Sequence, residues 1–206
     1  LRAERDYDIV NPDSDPRYRD IWSEYYRLMS RKGVTPAIAQ AEMRQNTTLI
    51  GAMLLRRNEA DGLIAGQSGL YAQQLKPIAD VIGLSPEARL FAALTVLMLP
   101  KRTLFITDPY VNDNPDAEDV AAMTVLAAAE VRRFGLTPRV ALLSHSSFGS
   151  SSCASATKMS RARELLEKLA PDLEADGEMK ADQALVDDIR VRVHPDSRLT
   201  GPANLL

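Results

Sequence analysis

Apolar residues recur every three or four positions in the first part of the chain and gather into short unbroken runs in the second, so two kinds of structure are expected. Tyr18, Ile21, Trp22, Tyr25, Leu28 and Met29 form one stripe at helical spacing. Asp13-Ser14-Asp15 supplies the cap of that helix, Pro16 its first position and Gly33 its stop. The same spacing assigns Trp22 and the tyrosines to a core rather than to ligand stacking. Thr35-Pro36 opens a second helix running to about Arg44, and a third spans residues 47–55. Leu63, Ile64 and Ala65 read as a strand, residues 66–69 as a turn, and a further helix begins at Leu70, with Pro77 expected to kink or restart it.

Residues 91–99 and 103–107 are β-prone runs around Pro100-Lys101-Arg102 and predict an antiparallel pair. Asn114 then caps a helix with Pro115 at its first position, Asp116, Glu118 and Asp119 at its positive end, and its stop at Gly135 after about Arg133. The carboxylates of residues 108–116 lack the spacing and the glycine of an EF-hand calcium loop, so capping is the better account of them. Residues 140–143 predict a strand buried on both faces, 157–169 an amphipathic helix, 172–178 a short strand with a turn, and 181–186 another helical start. Strand alternates with helix from Lys101 onward, which implies an α/β class with a mainly parallel sheet and helices on both faces. A boundary near Ser85-Pro86-Glu87 divides a helix-rich segment with one strand-loop unit, 1–85, from a second subdomain, 86–206. The chain opens on Leu1 and closes on Ala203-Asn204-Leu205-Leu206, which reads as the start of another buried strand. Both ends therefore read as cuts in a longer polypeptide, with the second subdomain incomplete at its carboxyl end.

Charge changes this picture mainly by exclusion. With 25 basic and 28 acidic residues the net charge is −3 and carries no footprint for nucleic acid. The one cysteine cannot form an internal disulfide, and runs such as residues 91–100 are too short to span a bilayer. A reducing, cytoplasmic setting without a membrane partner is expected.

Candidate chemistry concentrates where the run Val140-Ala-Leu-Leu stops at a cluster of Ser144, Ser146, Ser147, Gly149, Ser150, Ser151 and Ser152. Open α/β sheets place ligands beyond the carboxyl ends of their strands, and hydroxyls with approachable backbone N–H groups suit phosphate. A serine-rich connector is the plainer alternative. Residues 61–69 share the strand-to-loop layout but match neither the dinucleotide nor the Walker glycine pattern. His145 lies between two serines, yet neighbours at a strand end face opposite ways, and the Gly-x-Ser-x-Gly elbow is missing, so a serine triad is not expected. His194, beside Pro195, reads as a surface loop residue, and Cys153 has no basic partner adjacent in sequence.

Several ordered motifs together resemble the phosphate acetyl/butyryl transferase family. They are Phe134-Gly135-x-x-Pro138-Arg139-Val140-Ala141-x-Leu143-Ser144-x-Ser146, Leu104-Phe105-x-x-Asp108 with Val111-Asn112, Pro115-x-Ala117-Glu118, Asp176-Gly177-Glu178 and Gly201-x-Ala203-Asn204. Lys32-Gly33-Val34-Thr35 and Ala60-Asp61-Gly62 extend the resemblance toward the amino end, so that it covers residues 9–206. It implies a three-layer αβα, isocitrate/isopropylmalate-dehydrogenase-like fold of two subdomains with a cleft for coenzyme A and acetyl phosphate. On this resemblance the acetyl-CoA or phosphate contacts are Ser144, Ser146, Ser147, Gly149, Ser150, Gln67, Ser68, Lys76, Asp108 and Asn112. Departures also count: the family's His-Ser pair falls on Gly69-Leu70, and two of its arginines fall on Lys76 and Met29. Lysine keeps the charge but loses the bidentate fork, and methionine loses both. The family's Ser-Arg pair and general-base aspartate would lie beyond Leu206, so no catalytic residue and no metal ligand is assigned here.

This pattern is similar to the phosphotransacetylase-like carboxyl-terminal domain of bacterial NADP-dependent malic enzymes. That resemblance implies an acetyl-CoA-responsive regulatory and oligomerising module, with an upstream malic enzyme domain holding NADP and a divalent metal, and homo-oligomers formed through this domain. An active phosphate acetyltransferase, making acetyl-CoA from acetyl phosphate and coenzyme A, is the alternative.

Overall fold

The structure, a computed structural model, describes residues 2, 5–66 and 69–206, and its contacts divide the chain into two compact units, Leu1–Leu84 and Ser85–Leu206. In the first unit, α1 (Tyr18–Met29), α2 (Pro36–Gln45), α3 (Thr47–Arg56) and α4 (Tyr71–Val81) surround one core. Ile21, Tyr25 and Met29 of α1 meet Ala39 and Met43 of α2 and Leu49, Ala52 and Met53 of α3 there. The start signals hold for α2, where the Thr35 hydroxyl accepts from Ile38 N at 3.3 Å with Pro36 in the first turn. They fail for α1, which begins after Arg17 without a side-chain cap. The expected cap, Asp15, is instead occupied by the Arg17 guanidinium, with Nη2 at 2.8 Å and Nε at 3.0 Å, and by Arg17 N at 2.8 Å.

The strand expected at Leu63 to Ala65 does not form: residues 62–66 are irregular, and Ile64 is fully exposed. A strand needs a neighbour for its N–H and C=O groups, and the described residues of the first unit include no strand. Leu63 packs on the helical core instead, its methyl group reaching the space that a side chain at Gly51 would fill. Pro77 neither splits nor restarts α4, which continues through it to Val81.

The second unit contains β1 (Leu94–Leu99), β2 (Arg102–Thr107), α5 (Ala117–Arg133), β3 (Arg139–Leu143), α6 (Ala154–Leu169), β4 (Glu174–Met179), α7 (Ala181–Leu185) and α8 (Asp187–Val193). β1 and β2 form the antiparallel hairpin, with Leu99 opposite Arg102, and β3 and β4 pair in parallel. Leu205 bridges Phe105 of β2 and Val140 of β3, parallel to both, so the last residues lie between the two pairs. All but β1 therefore run one way. Alternation along the strands sends Val140, Leu142, Ala175 and Leu205 to a core with α5 and α6, while Ala141, Met179 and Ala203 meet Ala184 of α7 and Leu199 in another. Helices thus cover both faces of this sheet. The cap of α5 is Asp116, which accepts from Asp119 N at 2.7 Å, rather than Asn114. Asn114 is engaged elsewhere, accepting from Lys158 Nζ at 2.9 Å.

Candidate functional site

β3 carries the chain to Leu143, and the serine loop follows before α6 begins at Ala154. Its first residue stays alongside β4, Ser144 N donating to Met179 O at 2.9 Å. Beyond it, each backbone N–H from Ser146 to Ser150 is bonded within the second unit. Ser146 N donates to Ser144 Oγ at 3.2 Å, and Ser147 N to Ser150 Oγ at 3.0 Å. Phe148 N donates to Glu178 O at 2.7 Å, Gly149 N to Glu178 Oε1 at 2.9 Å, and Ser150 N to Ser147 O at 3.1 Å. The Ser146 hydroxyl donates to Glu178 Oε1 at 2.9 Å and lies 3.1 Å from Ser150 Oγ. Phe148 and Gly149, at φ 48° and 83°, turn the chain through the left-handed region, and their N–H groups reach the backbone oxygen and the side-chain carboxylate of Glu178 in turn. This network gives the loop one shape, unlike a slack connector.

Glu178 is the site residue that pattern reading passed over. It is 1% exposed, and the β3–β4 register explains how it reaches the loop. Leu142 pairs with Gly177 and Leu143 with Met179, so Glu178 is the extra residue of a bulge, and bulges re-aim side chains. The available signal was the acidic pair of Asp176-Gly177-Glu178, in a segment read only as a short strand with a turn. Asp176 in the same segment anchors a different loop, accepting from Ser197 Oγ at 2.7 Å and Arg198 N at 2.9 Å. His194 caps the end of α8, and its ring stacks on Phe148 of the serine loop at 4.1 Å.

Asp108 and Asn112 are found at the end of β2. Asp108 accepts from Ala93 N at 3.0 Å, Val111 N at 3.2 Å, Asn112 N at 2.7 Å and Asn112 Nδ2 at 2.6 Å. Burial pushes its carboxyl up, but these hydrogen bonds together outweigh burial and hold it below the usual carboxylate range. Both residues border a cavity of about 290 Å³ with Leu143 and Lys158. Among the described residues, no group of three or more His, Cys, Asp or Glu side chains is placed to hold a metal ion.

In the first unit, Lys76 is exposed, ion-pairs with Asp80, which Lys32 also approaches at 3.3 Å, and borders a polar groove of about 460 Å³. Met29, at the other arginine position of the resemblance, is buried in the helical core. Gln67 and Ser68 lie outside the described residues.

His145 finds its partner at Cys153 rather than at the adjacent serines. Cys153 is exposed, with Sγ 3.5 Å from His145 Nε2 and 3.2 Å from Ser155 Oγ. Hydrogen bonds from the Ser151 and Ser155 hydroxyls and the Ala156 N–H, with the nearby His145 charge, lower its thiol to about 6. Alkylation by iodoacetamide, followed by mass spectrometry at this one cysteine, is expected to reach half its plateau rate near pH 6. A midpoint at the ordinary thiol value of about 8.5 would contradict that environment.

A strand-end serine loop held by a buried carboxylate, in a mixed α/β unit covered on both faces, is the setting in which the comparisons with known proteins fall. The chain belongs to the phosphate acetyl/butaryl transferase family, whose pattern spans residues 1–206. It is 48% identical to the NAD-dependent malic enzyme of Rhizobium meliloti (strain 1021) over 206 residues, which is all of this chain and 27% of that protein. The NADP-dependent malic enzyme of Escherichia coli (strain K12) gives the same identity and coverage. A phosphate acetyltransferase from Synechocystis sp. is 30% identical over 197 residues, 96% of this chain and 28% of that protein. Among solved structures, a phosphotransacetylase from Streptococcus pyogenes superposes with a TM-score of 0.86 at 27% identity, covering 98% of this chain and 61% of that one. The chain thus spans about a quarter of the malic enzymes it resembles.

Proposed function

We propose that this chain is the phosphotransacetylase-like domain of a bacterial NADP-dependent malic enzyme. In the parent protein it acts as a regulatory and oligomerising module with acetyl-CoA as effector. An upstream domain carries the oxidative decarboxylation of malate to pyruvate with NADP and a divalent metal, in the cytoplasm. The observation that carries this reading is the contrast in identity: 48% along the whole chain to malic enzymes, against 30% to a phosphate acetyltransferase. The site favours the same side: Met29 is packed into the helical core and carries no charge, and Lys76, ion-paired with Asp80, keeps a charge but lacks the bidentate fork of an arginine. The isocitrate/isopropylmalate-dehydrogenase-like, three-layer assignment belongs to this reading, supported by helices on both faces of the second unit's sheet. The coenzyme is taken as NADP from the Escherichia relative, while the Rhizobium relative is named for NAD, so both coenzymes belong in the assay.

The family resemblance assigns acetyl-CoA or phosphate contacts to Ser144, Ser146, Ser147, Gly149, Ser150, Asp108 and Asn112 in the second unit and, separately, to Gln67, Ser68 and Lys76 in the first. For the effect to be allosteric, acetyl-CoA must bind two states of the whole protein unequally. Calorimetric titration of the full-length protein with acetyl-CoA is expected to show saturable heat, together with a change in malate oxidation at fixed malate. No heat at millimolar ligand removes the effector role. Formation of acetyl-CoA from acetyl phosphate and coenzyme A at ordinary enzyme rates, of the order of 1–1,000 per second, would instead establish a working transferase.

A further inference from the structure

We propose that Glu178 is the resident anion of the serine loop: its carboxylate fills the position formed by Gly149 N–H and the Ser146 hydroxyl, and a phosphoryl group reaches those donors only by displacing it. The loop turns through the left-handed region at Phe148 and Gly149, which brings its donors to the Glu178 carboxylate. Every backbone N–H from Ser146 to Ser150 already has an acceptor inside the protein. Two of the loop's donors, Gly149 N and Ser146 Oγ, converge on one oxygen, Glu178 Oε1, each at 2.9 Å. A carboxylate oxygen holding two converging donors stands where a phosphate oxygen would stand, since both are charged acceptors that favour short N–H and O–H bonds.

Three further observations make this occupancy exchangeable. Glu178 is 1% exposed, and among the described residues its Oε1 is held by two neutral loop donors, with no cation in an ion pair with the carboxylate. A buried charge held only by neutral groups gives up hydration without ion pairing, so moving it toward water returns part of that cost. The Ser147 hydroxyl, in the same loop, is buried without a hydrogen-bond partner among the described residues and is a further donor for an incoming oxygen. The bulge at Glu178 leaves this residue outside the β3–β4 register, so its side chain can turn without breaking the ladder on either side.

This inference rests on the serine loop being a ligand contact, as in the proposed function. Its test uses inorganic phosphate in place of acetyl-CoA, so the two can fail separately. Calorimetric titration of phosphate into full-length wild type and Glu178→Gln is expected to show the glutamine variant binding about tenfold more tightly, because a neutral amide competes less well than a carboxylate for the same donors. Crystals of the wild type soaked in phosphate are expected to show a phosphate oxygen on Gly149 N and the Glu178 side chain turned away. Equal or weaker binding by a folded Glu178→Gln protein overturns the proposal. So does a soaked structure in which Glu178 Oε1 keeps both donors at saturating phosphate, and that structure decides alone if the variant does not fold. Phosphate displacement without any acetyl-CoA binding would leave this inference standing and remove the effector reading.

Discussion

Gly177→Ala is expected to destabilise the second unit by about 2–5 kcal/mol, the sum of a strained backbone conformation and a forced contact. Gly177 has φ 139°, a conformation that L side chains rarely adopt. A Cβ built there falls 2.7 Å from Leu142 O and 2.9 Å from Leu142 Cβ. Neither neighbour can swing away, because Leu142 is buried in β3 and pairs with Gly177 in the ladder. The strands must separate, and they would separate beside the bulge that aims Glu178 at the serine loop. Scanning calorimetry should find the transition lowered by about 5–15 °C, and the loop should become a site of faster proteolysis. Gly62→Ala is the control, since Gly62 has ordinary backbone and nothing within 4 Å of an added Cβ. A Gly177→Ala protein that melts with wild type would show that β3 and β4 tolerate the extra atom and would weaken the account of the loop's anchor.

Much of the fold was legible because its cues are local. Thr35-Pro36 marks the start of α2, the apolar run at 140–143 marks β3, and the hairpin turns at Pro100-Lys101. Where reading failed, a nearby charge had a stronger claim on the cue. Asp15 is taken by Arg17 and Asn114 by Lys158, so α1 and α5 start later than their capping sequences suggest. The short run at Leu63 to Ala65 has strand composition, but composition cannot supply the partner that a strand requires. The site divides in the same way. That a loop of small polar residues follows β3 is visible in the residues themselves. That its N–H groups face inward depends on Glu178, far along the chain, and on a bulge that no short pattern announces. Cys153 and His145 likewise meet only because the loop folds back before α6.

Leu205→Ala is expected to cost about 2–5 kcal/mol, because the leucine is fully buried and its neighbours are strands that can close only part of the space left behind. Its backbone joins the two halves of the sheet: Ala141 N donates to Leu205 O at 2.9 Å, Leu205 N to Arg139 O at 3.0 Å, and the flanking Leu206 N to Phe105 O at 2.8 Å. Its side chain shares the core with Phe105, Val140 and Ala175. The expected signature is more specific than a lower melting point. Amide hydrogen exchange should accelerate at Phe105 and Ala141, whose N–H groups are bonded to Asn204 O and Leu205 O, while the helical first unit keeps its protection. Leu169→Ala, at an exposed leucine, should stay within about 0.5 kcal/mol of wild type. The consequence reaches the candidate site, because β2 ends in the Asp108–Asn112 turn, β3 ends in the serine loop, and residues 204–206 set the spacing between those strands. Loss of stability without faster exchange at Ala141 would mean that Leu205 merely fills volume; loss with it means that this segment holds the two turns of the site in register.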